Sequence, residues 1–490
     1  MIEHLPALIP ITLILFAFIA GVLGVMQFKL SRNVAMLGAL AAFVLSVTGT
    51  IQVLQTGPMH YSFGSWPPPY GIEFVLDTLS AFMVLVITGI GSILLMFPTK
   101  PGFMIDEQKG ATVYTVVLML MAGLCGMVLA GDLFNLYVFL EISSLSTFAL
   151  ISLGGGKAAV ASFRYLIMAS IGGCFYLLGV GFIYFSVGSV NMADVLQLLP
   201  AVYDSPSVIG GAILMVTGLC VKMALFPLHT WLPDSDTYAP PVVAAFSAAV
   251  QIEVSAYVII RLILNVFSPE FIIGLTPITD IIAWISAAGI IIASILAVAQ
   301  QNFRRMLAYS SVAQIAYVGL GIGLANPLGI VGGIFHIMAH SLMKGSLFLI
   351  AGGIRHHTGI WNINDFQGLG RRMPWTIGAF TIAAMGMIGI PPTAGFFSKW
   401  YLLLGSIEGD QWVFVAVILI SSLLNAVYFF RIIEKAFSPP AESTASVNKT
   451  GELPKRMLAP ILILAIGTLI VGALNVLVVN ELIMPVVEGL

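Results

Sequence analysis

Charge is what this sequence has least of. Only 9% of its 490 residues are Asp, Glu, Lys or Arg, while 59% are hydrophobic. A soluble domain carries roughly 25% charged residues. A chain this apolar has no water-compatible surface to show, so a soluble fold is excluded and lipid must be its solvent. Cysteine is scarce too: Cys125, Cys174 and Cys220 each stand alone in an apolar run. No CxxC and no Cys/His cluster occurs, which removes the basis for an iron–sulfur centre, a zinc site or a disulfide scaffold. No GxGxxG follows a strand, so NAD and FAD have no evident site. The expectation is no cofactor and no metal. The formal net charge of -2 gives no hint of nucleic acid as a partner. No basic segment precedes the first apolar run, about Leu5 to Met26, which therefore reads as a spanning helix rather than a cleaved signal.

What is present is a succession of apolar runs near 20 residues long, the length a helix needs to cross the hydrocarbon core. They lie near 5–26, 35–54, 74–96, 111–130, 133–152, 161–187, 208–226, 241–265, 278–299, 307–325, 329–353, 375–404, 412–433 and 457–480. The fold class is an all-α membrane protein of about fourteen transmembrane helices. No soluble domain is visible, and the longest polar stretch, about 436–456, is a loop.

The basic residues test this count. With fourteen spans, one set of alternate loops and their flanks holds Lys29, Arg32, Lys100, Lys109, Lys157, Arg164, Arg304, Arg305, Arg355, Arg371, Arg372, Arg431, Lys435, Lys449, Lys455 and Arg456. The opposite side holds only Arg261. Lysines and arginines collect on the cytoplasmic side of a membrane. One missed helix would scramble every later loop, so the regularity supports fourteen spans and predicts both termini outside. The expected location is the cell (inner) membrane.

Two spans are interrupted. Pro227 and Pro233 flank the polar stretch Leu228–Asp236, and Pro391 and Pro392 interrupt the run 375–404. Proline removes a backbone donor and clashes with the preceding turn. Broken helices at membrane depth persist only where protein or water satisfies the freed groups. Two such breaks in corresponding positions mark inverted repeats and ion sites in transporters. An ordinary pair of proline kinks is the plain alternative, but Lys222 and Lys399 lie beside the two breaks.

Seven ionisable residues fall inside spans: Glu141, Lys222, Glu253, His336, His340, Lys344 and Lys399. A charge at the bilayer centre costs at least about 2.5–3.5 kcal/mol, so such groups face the bundle interior and serve an ion path or pair with one another. Glu141 and Lys222 on different helices would neutralise each other. A structural ion pair explains one such couple; it does not explain seven groups spread over many helices. His336, His340 and Lys344 recur every four residues and form a polar stripe on one helix face. Two histidines at that spacing can hold a metal, but no carboxylate or cysteine joins them on the segment. His229, His356 and His357 fall in predicted cytoplasmic loops.

Three segments, PLHTWLPDSDTYAPPVVAAFSAAV, HIMAHSLMKGSLFLIAGGI and GIPPTAGFFSKWYLL, resemble the antiporter-like subunits of respiratory complex I. They are equally similar to the D-type subunits of Mrp-type sodium/proton antiporters and to related subunits of membrane-bound hydrogenases. The likeness runs from about residue 70 to 435. It implies two inverted five-helix repeats with broken seventh and twelfth helices. The organisation is then helices 1–3 in residues 1–110, a first repeat in 111–265, a second in 266–436, and a cytoplasmic loop with helix 14 in 437–490. The resemblance further implies a Glu141–Lys222 pair and an axis running on through Lys344 to Lys399, with His336 and His340 beside it. Glu253 departs from the pattern, because the family usually places a basic residue there. The acid reorganises the charge pattern, favours sodium, or pairs with Lys222 or Lys344.

The function implied is an ion-translocating subunit, for protons or sodium ions, of a larger membrane complex with other membrane subunits as partners. The chain's length and loops lean towards the Mrp-type or hydrogenase members. An active site of its own has no support, since no nucleophile–base pair is present. A stand-alone transporter of a small solute, or a scaffold without an ion path, are the alternatives.

Overall fold

The computed structural model describes residues 2–98, 107–439 and 451–488. Lys100 and Lys449, counted above among the loop cations, lie outside them. In lipid every backbone N–H and C=O must be bonded within the chain, which leaves the helix as the spanning element for these apolar runs. The helices are α1 (Leu5–Met26), α2 (Phe28–Thr56), α3 (Thr78–Met96), α4 (Glu107–Leu129), α5 (Leu133–Ser152) and α6 (Lys157–Val187). A short α7 (Met192–Leu198) precedes α8 (Pro206–Lys222) and α9 (Trp231–Tyr238). Then come α10 (Pro241–Asn265), α11 (Ile278–Ala299), α12 (Phe303–Leu324) and α13 (Pro327–Thr358). The last are α14 (Pro374–Ile388), α15 (Ala394–Glu408), α16 (Trp412–Phe437) and α17 (Lys455–Ala473).

Among the described residues, twelve helices are long and apolar enough to cross a membrane. The broken pairs α8/α9 and α14/α15 supply two further crossings, which makes fourteen. An even number of crossings brings both termini to the same end of the bundle.

Several helices start where the sequence carries a capping side chain. Asp77 accepts from the Ser80 amide, Asp132 from Asn135, Asn302 from Arg305 and Asn326 from Gly329. Each satisfies one of the amides that a helix N-terminus leaves unpaired.

Two boundaries differ from expectation. The run 74–96 does not begin as helix: Glu73–Leu76 is a strand paired antiparallel with Met59–Ser62, Met59 facing Leu76. Phe74 of this hairpin packs on Phe139 of α5, ring centres 5.7 Å apart. The run 329–353 extends to Thr358. At 32 residues α13 is about 48 Å long, well beyond the roughly 30 Å of hydrocarbon. Its last turn, Arg355 to His357, thus stays helical rather than forming the predicted loop. The run 375–404 is two helices, split after Ile388, as the prolines at 391 and 392 predict.

The interior belongs to α10, α12 and α13, whose apolar windows are 94–100% buried. The outer helices α1, α6, α16 and α17 bury only 28–39% and turn apolar faces outward. Helices α6 and α8 approach closely through small residues, as membrane helices do when no hydrophobic force separates protein from lipid. A Cβ on Gly218 would stand 2.4 Å from the Gly172 carbonyl oxygen.

Candidate functional site

Glu141 faces Lys222 from the middle of α5. Its Oε1 lies 3.6 Å from Lys222 Nζ, and the ammonium donates to Ser144 Oγ at 2.6 Å. Ser144 stands three residues after Glu141 and therefore on the same helix face. Lys222 is 7% exposed. The Glu141 side chain is only half-buried, at 28%, although Oε1 itself is covered. Gly173 of α6 makes the room: a Cβ there would sit 2.3 Å from that same Oε1.

Lys222 is the last residue of α8. The chain then turns through Met223–Thr230 before α9 begins. Ala224 takes a left-handed φ of 57° in this turn, and Phe226–Pro227 is a cis peptide. The indole of Trp231 donates to the Val221 carbonyl at 2.9 Å, satisfying an acceptor that the break frees. His229, expected in a loop, is instead buried in the break and stacks on Phe226 at 5.5 Å.

A polar link runs from this pair into α10. The Tyr165 hydroxyl lies beside Ser144 and Thr147 and accepts from Gln251 Nε2 at 2.8 Å. Gln251 closes a π-turn, Ser247–Gln251, inside α10. Such turns insert a residue and re-aim the side chains that follow; they recur at functional sites.

Glu253 follows that turn and is aimed at α13. It meets neither Lys222 nor Lys344: its Oε1 bonds His340 Nδ1, with both side chains fully buried. This corrects both pairings considered from sequence. Lys344, one helical turn past His340, points instead at α12, donating to the Leu307 carbonyl at 2.8 Å and to Ser310 Oγ. The rings of His340 and His336 stack at 6.0 Å, so the predicted stripe on α13 forms. His336 Nδ1 bonds Ser398 Oγ at 2.8 Å, and Ser398 adjoins Lys399.

Lys399 closes the line. Helix α14 ends on Gly389, whose φ of 91° favours glycine. The ammonium of Lys399 donates to the carbonyls of Met387 and Ile388, at 2.9 and 3.1 Å. A cation at the negative end of a helix is favourable. It also lies 4.8 Å from the centre of the Tyr317 ring, within cation–π range. The second break therefore repeats the logic of the first, with a lysine beside the opened helix.

Five buried atoms or groups on α10, α12 and α13 have no hydrogen-bond partner among the described residues: Glu253 Oε2, His336 Nε2, His340 Nε2, Ser341 Oγ and both amide atoms of Gln314. Buried polar groups are almost always bonded, and water is the partner that remains for such a set. The structure thus brings together Glu141 with Lys222, Glu253 with His340, and His336 with the Lys399 segment. Tyr165, Gln251, Ser310, Tyr317 and Ser398 join them. Sequence reasoning missed these five because neutral polar side chains in an apolar run carry no signal until a neighbouring helix is known.

At the hairpin end lies Arg261, which the sequence sets apart from the cation-rich side. Arg261 of α10 is buried and bonds Asp77 at 2.5 and 2.8 Å. Burial would raise the Asp77 carboxyl, but the guanidinium outweighs it and holds the group at about 2. Asp132, in the turn before α5, is pushed up to about 6 by burial, against the bonds it accepts from Asn135 and Phe134.

A helix bundle with two broken helices, each opened beside a buried lysine, defines a membrane protein built around an internal polar axis. Residues 130–425 match the family described as NADH:quinone oxidoreductase/Mrp antiporter, TM, and the chain belongs to that family. It is 45% identical to NADH-quinone oxidoreductase subunit N of Desulforudis audaxviator, over 99% of this chain and 98% of that one. It is 31% identical to the D-type subunit of an Na(+)/H(+) antiporter from Alkalihalophilus pseudofirmus, over 94% and 92%. A chain of the membrane-bound sulfane sulfur reductase, an archaeal respiratory complex, superposes with a TM-score of 0.88 at 29% identity, covering 99% and 97%. A chain of the Mrp complex from Dietzia sp. DQ12-45-1b gives 0.88 at 24%, covering 100% and 97%.

Proposed function

We propose that this chain carries protons, along the buried line Glu141–Lys222–Glu253–His340–His336–Lys399 with Lys344 at its side, as one subunit of a multi-subunit membrane complex. The observation behind this reading is the continuity of the line. Glu141 faces Lys222 and Glu253 bonds His340 directly; Ser144, Tyr165 and Gln251 lead from Lys222 towards Glu253, and Ser398 joins His336 to the Lys399 segment. A structural role would need one pair and would leave no atoms unpaired. Rearranging an ion pair at one position changes the charge seen by the next, which is how such a line passes a proton without opening a pore.

The relatives and neighbours named above are all parts of larger assemblies, which favours a subunit over a stand-alone transporter. The greater identity to a dehydrogenase subunit than to an antiporter subunit favours a redox-driven complex as the parent. In the proposed orientation the end rich in lysine and arginine faces the cytoplasm and both termini face outward, in the cell membrane. Residues 111–265 and 266–436 form the two repeats, each contributing one broken helix. Glu253 makes the centre of the axis a carboxyl–imidazole couple, which passes a proton with one net charge fewer than a lysine would carry.

The test is proton transport by the assembled complex in sealed vesicles, with Lys222, Lys344 and Lys399 replaced singly by methionine. Each replacement should lower the rate at least about tenfold without releasing the subunit. Full transport by any assembled variant would remove that lysine from the path.

A further inference from the structure

Asp236 is a buried acid outside the axis described above. It lies in α9, beyond the first helix break, and is 0% exposed. Its carboxylate sits beside the hydroxyls of Ser235 and Ser247, yet neither oxygen makes a hydrogen bond of good geometry. Ser247 opens the π-turn that aims Gln251 and Glu253. Among the described residues Asp236 is in no ion pair, although it is an electrostatic neighbour of both Arg304 and Lys344. Arg304 is itself buried at 1%, and bonds only the Ala239 carbonyl, at 2.7 Å.

The heights of these groups in the bundle are informative. Lys344 bonds Ser310 of α12, and Arg304 lies six residues earlier on that helix. Arg304 is therefore about 9 Å nearer the basic end than Lys344. Asp236 feels both and so occupies the step between the axis and that end. Just beyond it, Asp234 is held by Arg164 at 2.6 Å and by Arg305 at 3.4 Å, near the surface. An acid kept only as a partner for Arg304 would be bonded to it. An unbonded one has its lone pairs free.

We infer that Asp236 is the proton relay between Lys344 and water at the basic end of the bundle, with Arg304 as its positioning cation. The inference rests on the proton path proposed above. In the inward step a hydroxyl proton of Asp236 passes to neutral Lys344. The O–H bond breaks, an N–H bond forms, and a carboxylate faces an ammonium. A proton from water at the basic end then restores the carboxyl. No electron moves, and the reverse order serves transport the other way. Arg304 keeps its own proton throughout, since a guanidinium does not release it in proteins. Its fixed charge stabilises the carboxylate until the next proton arrives.

The experiment compares D236E, D236H and D236N in the complete complex, reading proton transport in sealed vesicles and subunit retention on a native gel. K344M serves as the control for the axis. A relay needs a group that exchanges protons. Transport should therefore fall at least about tenfold in D236N and be higher in D236E and D236H. A merely structural anion predicts the opposite order for D236H and D236N, because an imidazolium beside Arg304 repels it while asparagine does not. Wild-type rates in D236N, or D236H slower than D236N, overturn the relay. If K344M is inactive in the same membranes, the wider path survives that result; if K344M also transports normally, the path itself fails. Should D236N not assemble, D236S takes its place, its small hydroxyl fitting beside Ser235 and Ser247.

Discussion

Replacing Gly173 by alanine tests the Glu141–Lys222 pair without touching either member. The added Cβ would stand 2.3 Å from Glu141 Oε1, the oxygen that faces Lys222 at 3.6 Å. An ordinary contact requires that oxygen to retreat by about 1 Å. The oxygen ends a flexible side chain, so the fold yields cheaply and stability should change by less than about 1 kcal/mol. The pair does not yield cheaply. With an effective dielectric near 20, two charges at 3.6 Å attract by about 4.6 kcal/mol, and at 4.6 Å by about 3.6. The loss, about 1 kcal/mol, is roughly a fivefold change in the equilibrium that holds the pair together. Proton transport by the assembled complex should fall by about that factor in G173A, and E141Q should lose nearly all of it. Assembly and the thermal midpoint separate this from misfolding. Transport in G173A equal to wild type, with E141Q inactive, would refute the steric argument. An unstable G173A would show that the space around Gly173 serves packing instead.

Restoring a basic residue at the centre by E253K should be harmful here. The new ammonium would lie fully buried beside His340 and one turn from Lys344, an uncompensated charge costing about 3–5 kcal/mol. Lowered thermal stability or loss of the subunit from the complex would show it, and a stable, active E253K would contradict the Glu253–His340 contact. Asp132 supplies a pH test. Its carboxyl is raised to about 6, against about 3.9 in an unfolded chain, so the folded state binds the proton more tightly. Burying the ionised form therefore costs nothing below pH about 4, and the cost grows to about 3 kcal/mol above pH about 6. D132N keeps an N-cap oxygen and should raise the thermal midpoint at pH 8 but not at pH 4; an equal effect at both would sink the assignment.

Much of this protein can be read along its length. Apolar runs near 20 residues have one solution in lipid, so the spanning helices follow from hydropathy, and the alternation of lysines and arginines sets their number. The seven ionisable residues stand out because burial of charge is rare, and the prolines at 227, 391 and 392 announce the breaks. Which group meets which is not written locally. Glu253 looks able to reach either lysine; the π-turn at Ser247–Gln251 turns it to His340 instead. Gly173 reads as one more small residue in an apolar helix until α5 places a carboxylate against it. His229 reads as a loop residue and Arg261 as a cation near one end of its span, and the fold buries both.

Hydropathy is additive along a chain, so the sequence alone determined the membrane, the number of crossings and seven of the ionisable residues inside it. Pairing depends on the rotation and depth of each helix against its neighbours. Side-chain packing sets those, and a step of one residue turns a helix face by about 100°. Only the tertiary structure could therefore decide that Glu141 faces Lys222, that Glu253 faces His340, and that Asp236 stands unbonded between Lys344 and the basic end.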